Sequence, residues 1–138
     1  MTAPRVIIAG ARDISDGTMV FPFIDRWWHD IESCVLGAVL SGTCRGVDQI
    51  GEYWAKSKGF AIERHPAQWR LSGKAAGPLR NQRMAERATH CWIFRRDTSR
   101  GSYDMATRAI ARGLMVEEAI LRADGTIATR TNGETYSE

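Results

Sequence analysis

A chain of 138 residues, 43% hydrophobic and 25% charged, is long enough for one domain with a real core and leaves no room for two. Its formal net charge of +3 suits an anionic ligand and falls short of the dense basic stripe of a duplex-binding protein. No apolar run approaches the roughly 20 residues of a membrane span, and Met1-Thr2-Ala3-Pro4-Arg5 lacks a signal peptide's apolar core, so a cytoplasmic protein without membrane contact is expected.

Taken in order, apolar runs alternate with amphipathic stretches. Val6 to Ala9 reads as a buried strand. Thr18 to Ser33 places Val20, Phe23, Ile24, Trp27, Trp28 and Ile31 at near-helical spacing, with Pro22 expected in the first turn. Val35 to Leu40 is a second strand. Val47 to Lys58 is a helix stopped by Gly59, the residue that most readily takes a left-handed cap. Phe60 to Arg64 is a third strand, and Pro66 to Gly77 a loop. Pro78 then opens a helix through Ala88. His90 to Phe94 is a fourth strand, Ser102 to Arg112 a helix closed by Gly113, and Leu114 starts a fifth strand. Asp124-Gly125 between alternating residues marks a hairpin. From Thr131 the polar tail is expected to fray.

Strand and helix in regular alternation imply parallel strands joined by right-handed crossovers. The expected architecture is a single α/β domain, 1–138: a Rossmann-like three-layer α/β/α sandwich with a mainly parallel five-stranded sheet. Its core spans about 5–117, and a C-terminal hairpin extension with the polar tail fills 118–138. The first loop lacks Gly-x-Gly-x-x-Gly and no Gly-Lys-Ser/Thr loop occurs, which weakens dinucleotide-redox and P-loop readings. Cys34, Cys44 and Cys91 are odd in number and show no ligand spacing, so packing thiols are expected, with no metal and no cofactor. His29, His65 and His90 show no metal or triad spacing either and read as structural.

Three polar turns follow apolar runs: Gly10-Ala11-Arg12-Asp13, Ser41-Gly42-Thr43-Cys44-Arg45-Gly46-Val47-Asp48 and Thr98-Ser99-Arg100-Gly101-Ser102. In an open parallel sheet they share the ligand-binding edge, where backbone N–H groups and helix N-termini meet anions. A phosphate-bearing small molecule follows as the expected ligand. Gly10 either closes a tight turn or admits a phosphate, with Arg12 and Asp13 beside it. Gly42 and Gly46 permit close backbone approach, Arg45 offers a forked cation, and Asp48 serves either the helix dipole or a ribose hydroxyl. Lys74, Arg80 and Asn81 follow a Gly73-to-Gly77 loop of low apolar content. Trp69 beside Arg70 is placed to stack on a base. The adjacent Trp27-Trp28 covers more than one helix face, so a ring is expected at a subunit contact.

These motifs, with Gly73-Lys74-Ala75-Ala76-Gly77-Pro78-Leu79-Arg80-Asn81 and Met84, resemble the YspA-like branch of the SLOG superfamily over roughly residues 5 to 117. The superfamily includes the LOG-type phosphoribohydrolases and the DprA proteins, which bind single-stranded DNA. The resemblance implies a nucleotide-derived ligand, possible cyclic forms included, and a homodimer or higher homo-oligomer, since relatives commonly pair through helices. Arg80 matches the LOG enzymes' Arg. Their Pro-Gly-Gly-x-Gly-Thr-x-x-Glu motif is met here by Asp97 to Met105, with Gly101 and Ser102 matching or nearly so and Met105 where the Glu belongs. A thioether neither moves a proton nor stabilises an oxocarbenium-like charge. The expectation is therefore a sensor or sequestering module. One alternative is a nucleotide hydrolase using Asp104 or Asp48 with Arg80, and another is a DprA-like single-strand binder.

Overall fold

A computed structural model describes residues 3–32 and 35–136. The elements are β1 (Arg5–Gly10), α1 (Gly17–Asp30), β2 (Ala38–Ser41), α2 (Val47–Lys58), β3 (Ile62–Arg64), α3 (Trp69–Ser72), a 3-10 turn (Gly73–Ala75), α4 (Ala76–Arg87), β4 (His90–Arg96), α5 (Arg100–Ala111), β5 (Met115–Leu121), β6 (Ile127–Thr131) and β7 (Glu134–Tyr136).

The strands form one sheet in the order β3-β2-β1-β4-β5-β6-β7. Strands β1 to β5 are parallel, and β6 and β7 continue the sheet antiparallel. Chain order runs outward from β1 through β2 to β3, then crosses back to β4 on the other side of β1. The loops leaving β1 and β4 therefore diverge at their carboxyl ends, which is the topological switch point of an open α/β sheet.

The period of two along each strand divides the core. Val6, Ile8, Val39, Trp92 and Phe94 face α1 and α2 and meet Val20, Ile24, Trp27, Val47, Ile50 and Trp54. Ile7, Ala9, Leu40, Cys91 and Ile93 face the other way, onto Met84 and Ala85 of α4 and Met105, Ala106 and Ala109 of α5. Both faces are covered, as a parallel sheet requires, and the expected sandwich is present.

Indoles knit the first layer. Trp92 lies 6.4 Å from Trp27 and 6.2 Å from Trp54, between ring centroids. Trp28 packs edge-on against Trp54 and Phe60, with the Lys58 ammonium 5.1 Å from its centroid. Both adjacent rings are thus engaged within the chain.

Four local readings are corrected. Helix α1 begins at Gly17, capped by Asp16 accepting from Thr18 N. This places Pro22 beyond the first turn, where its missing N–H leaves one helical carbonyl without its usual donor. The expected end at Ser33, and Cys34, lie outside the described residues. The segment 66–77, read as loop, carries α3, the 3-10 turn and the start of α4. Strand β2 starts at Ala38 rather than Val35, which is exposed, while Gly37 N bonds to Pro4 O just ahead of the ladder. The tail from Thr131 does not fray through Tyr136. Asn132 and Gly133, with φ of 53° and 85°, turn the chain into β7, the geometry of a two-residue hairpin.

On the α5 side of the sheet, Arg95 and Glu118 form a buried ion pair at 2.7 Å, with the Tyr103 ring over the guanidinium. No helix among the described residues is long and apolar enough to cross a membrane.

Candidate functional site

The divergence of the loops after β1 and β4 opens a cleft of about 310 Å³. Its rim is the first turn, Gly10 to Asp13, and the third, Ser99 to Ser102; its floor is Asp48, Arg80, Asn81, Met84 and Met105. The narrow waist depends on glycine. A Cβ on Gly10 would run into the Phe94 carbonyl and lie 2.8 Å from the Val47 side chain. Ala11 N donates to that same Phe94 carbonyl at 3.1 Å and Val47 N to Ala11 O at 3.2 Å, so β1, β4 and α2 are stitched together at this point. Gly46 supports the stitch from behind. Its φ of 82° and ψ of −130° suit glycine alone, and a Cβ there would strike the Ala11 carbonyl.

Helix α5 starts at the cleft without a side-chain cap. The hydroxyl of Ser99, at the cap position, instead accepts from Arg96 N at 3.0 Å. The first-turn amides of α5, at Arg100, Gly101 and Ser102, therefore carry the partial positive charge of a helix N-terminus beside the cleft.

Arg80 is a nearly buried part of the floor. Its Nη1 donates to the Gly42 carbonyl and, at 3.4 Å, to His65 O, while Nε donates to Asn81 Oδ1 at 2.9 Å. Asp48 is only 5% exposed. Its Oδ2 accepts from Cys44 N at 3.1 Å. Burial pushes its carboxyl up to about 6, although bonds from the Cys44 and Gly10 amides and the Arg80 charge pull the other way. A carboxyl group that titrates near neutrality thus faces a cleft otherwise rich in N–H donors.

A second cleft, of about 650 Å³, adjoins the first. Arg12, Cys44 and Arg80 line both. Gly42, Thr43, Arg45, Pro66, Ala67 and Trp69 complete the second. Thr43 takes a φ of 65°, unusual for a β-branched residue, with its N–H donating to Ser41 Oγ.

Most of the expected ligand residues converge. Gly10, Arg12, Asp13, Asp48, Arg80, Asn81, Gly101 and Ser102 line the first cleft, and Gly42, Arg45 and Trp69 the second. Asp13 is paired with Arg96 at 3.0 Å. Gly46 lies behind the first turn, and exposed Lys74 lines neither cleft. Asp104 also lines neither cleft. It bonds Arg108 and Asn81 Nδ2, both at 2.9 Å, while its neighbour Met105 faces the first cleft. Arg100 and Cys44 were not singled out as site residues. Arg100 stands within the third polar turn, so the signal is present; Cys44 reaches the site only because the second turn folds back over Asp48.

Fold and site together define an open α/β domain with a donor-rich cleft at the switch point of its sheet. A model of the YspA, cpYpsA-related SLOG family matches residues 4–71. The Gene 61 protein of Mycobacterium phage D29 is 34% identical over 119 residues, covering 81% of this chain and 93% of that protein. No solved structure gives a significant match. The chain belongs to the YspA- and cpYpsA-related SLOG family.

Proposed function

We propose that this protein binds a nucleotide-derived small molecule and works as a sensor or sequestering module. Family membership supports a nucleotide-related ligand. The observation that carries the reading is the uncapped N-terminus of α5 facing Gly10 to Arg12 across a cleft floored by Asp48 and Asn81. A phosphate fits the α5 amides with Arg12 and Arg100, and a sugar hydroxyl fits the Asp48 carboxylate and the Asn81 amide. Native mass spectrometry against mono-, di- and cyclic nucleotides tests it. An intact nucleotide retained without mass change supports the module, and no binding at millimolar concentration overturns it.

A hydrolytic reading draws on one specific observation, the buried Asp48 carboxyl with its pKa near 6, where a general acid or base works best. Asp104 is a weaker candidate because Arg108 and Asn81 hold it outside the cleft. Release of free base from a nucleoside monophosphate, abolished by Asp48→Asn but retained by Asp104→Asn, would favour hydrolysis over sequestration.

A further inference from the structure

The two clefts share a wall and differ in chemistry. The first is small and holds two carboxyl groups, Asp13 and Asp48, with a carboxamide and helix amides beside Arg12, Arg80 and Arg100. The second is larger and carries the guanidinium groups of Arg12, Arg45 and Arg80, with no Asp or Glu among the described residues lining it. It also carries an aromatic platform. Trp69 is 51% exposed, and a Cβ on Gly77 would sit 3.4 Å from its ring, so the indole rests on the start of α4 with the remainder open.

Each cleft therefore has a full set of recognition groups. Stacking on an indole and charge-assisted bonds to arginine suit a base with its phosphate. A carboxylate and a carboxamide beside backbone donors suit a sugar and the phosphate attached to it. Arg12, exposed and common to both linings, stands where the two phosphates would meet.

Resting on the nucleotide reading above, we infer that the ligand has two halves joined through phosphates: a nucleotide whose base stacks on Trp69 and whose phosphate meets Arg45 and Arg12, and a second sugar phosphate seated against Asp48 and Asn81. The second half lies in the switch-point cleft and the first outside it. A mononucleotide satisfies one set and leaves the other to water.

Titration calorimetry with AMP, ribose 5-phosphate and ADP-ribose tests this, because the third compound joins the other two through a pyrophosphate. ADP-ribose is expected to bind at least about 100-fold more tightly than either fragment, since linkage makes the second contact intramolecular. Trp69→Ala is expected to weaken AMP and ADP-ribose about tenfold or more and to leave ribose 5-phosphate unchanged. Arg45→Gln, a second exposed position, should follow the same pattern. Asp48→Asn should do the reverse, weakening ribose 5-phosphate and ADP-ribose but not AMP. ADP-ribose binding no tighter than AMP, or Trp69 and Asp48 variants that affect AMP alike, would overturn the two-part ligand while leaving the nucleotide reading in place. Failure of all three compounds to bind would remove both.

Discussion

Arg80 and Gly42 hold each other in place: the guanidinium donates to the Gly42 carbonyl, and the absence of a side chain on Gly42 leaves the space the guanidinium occupies. A Cβ at Gly42 would lie 2.7 Å from Arg80 Nη1 and 2.8 Å from Asp48 Oδ2. The glycine thus sets the distance between a buried cation and a buried carboxyl group.

Gly42→Ala is expected to destabilise the protein by about 1–3 kcal/mol, the range for overpacking a filled interior. Gly101→Ala provides the contrast, since a Cβ there meets nothing within 4 Å and the residue lies in the first turn of α5. It should gain about 0.5–1 kcal/mol of stability from helix propensity yet weaken ribose 5-phosphate binding by placing a methyl group at the first cleft. Denaturant melts with binding titrations on both variants check the pair.

Stability should also depend on pH through Asp48. Its folded pKa, about 6, lies above the unfolded value near 4, so between these the folded state binds more protons. Stability contributed here is greatest at low pH and falls as pH rises from about 4 to about 6, by roughly 2 kcal/mol, and is flat above. Glu63 works in the opposite sense. Bonds from Arg87, His65 and Arg5 hold its carboxyl well below the usual range, so its contribution is present above the unfolded pKa and lost as pH falls. Thermal melts of wild type against Asp48→Asn from pH 4 to 7 isolate the first effect. A difference that does not grow with pH across that window would contradict it.

Removing Glu118 should be costly. With its side chain 1% exposed and that of Arg95 5%, Glu118→Leu leaves a buried, uncompensated guanidinium, and a loss of about 3 kcal/mol or more is expected. Asp13→Ala breaks the exposed pair with Arg96 and should cost under about 1 kcal/mol. Urea melts at fixed ionic strength distinguish the two.

Arg100→Ala is expected to lower affinity for ribose 5-phosphate about tenfold without changing stability by more than about 0.5 kcal/mol, because Arg100 is exposed and lines the first cleft. Calorimetric titration at low and moderate salt measures it, and the loss should shrink as salt rises.

The continuous apolar run that places Val6 to Ala9 survives in the structure because that strand is buried on both faces, and the near-helical spacing of Val47 to Lys58 survives because that helix buries one face. Helix α3 is a single turn with no buried residue, so it leaves no periodic trace between Pro66 and Gly77. The β6–β7 turn was legible and overlooked: Asn132-Gly133 is a strong hairpin dipeptide, outweighed by the polarity around it. For the site, the glycines and charged residues of the three turns read directly onto the switch point. The inward turn of Arg80 did not, since three of its four donor contacts go to main-chain oxygens or an adjacent residue, partners that no side-chain pattern encodes. The separation of Asp104 from Met105 was legible, since one residue along a helix turns a side chain by about 100°.

The addition of β6 and β7 bears on how this molecule shares a crowded solution. Without them the sheet would end at β5, seven residues of open hydrogen-bonding margin. With them it ends at β7 on one side and β3 on the other, each three residues long. Margins that short give a foreign strand too little to grip, so the extension guards against stray polymerisation through the sheet while leaving the two clefts untouched.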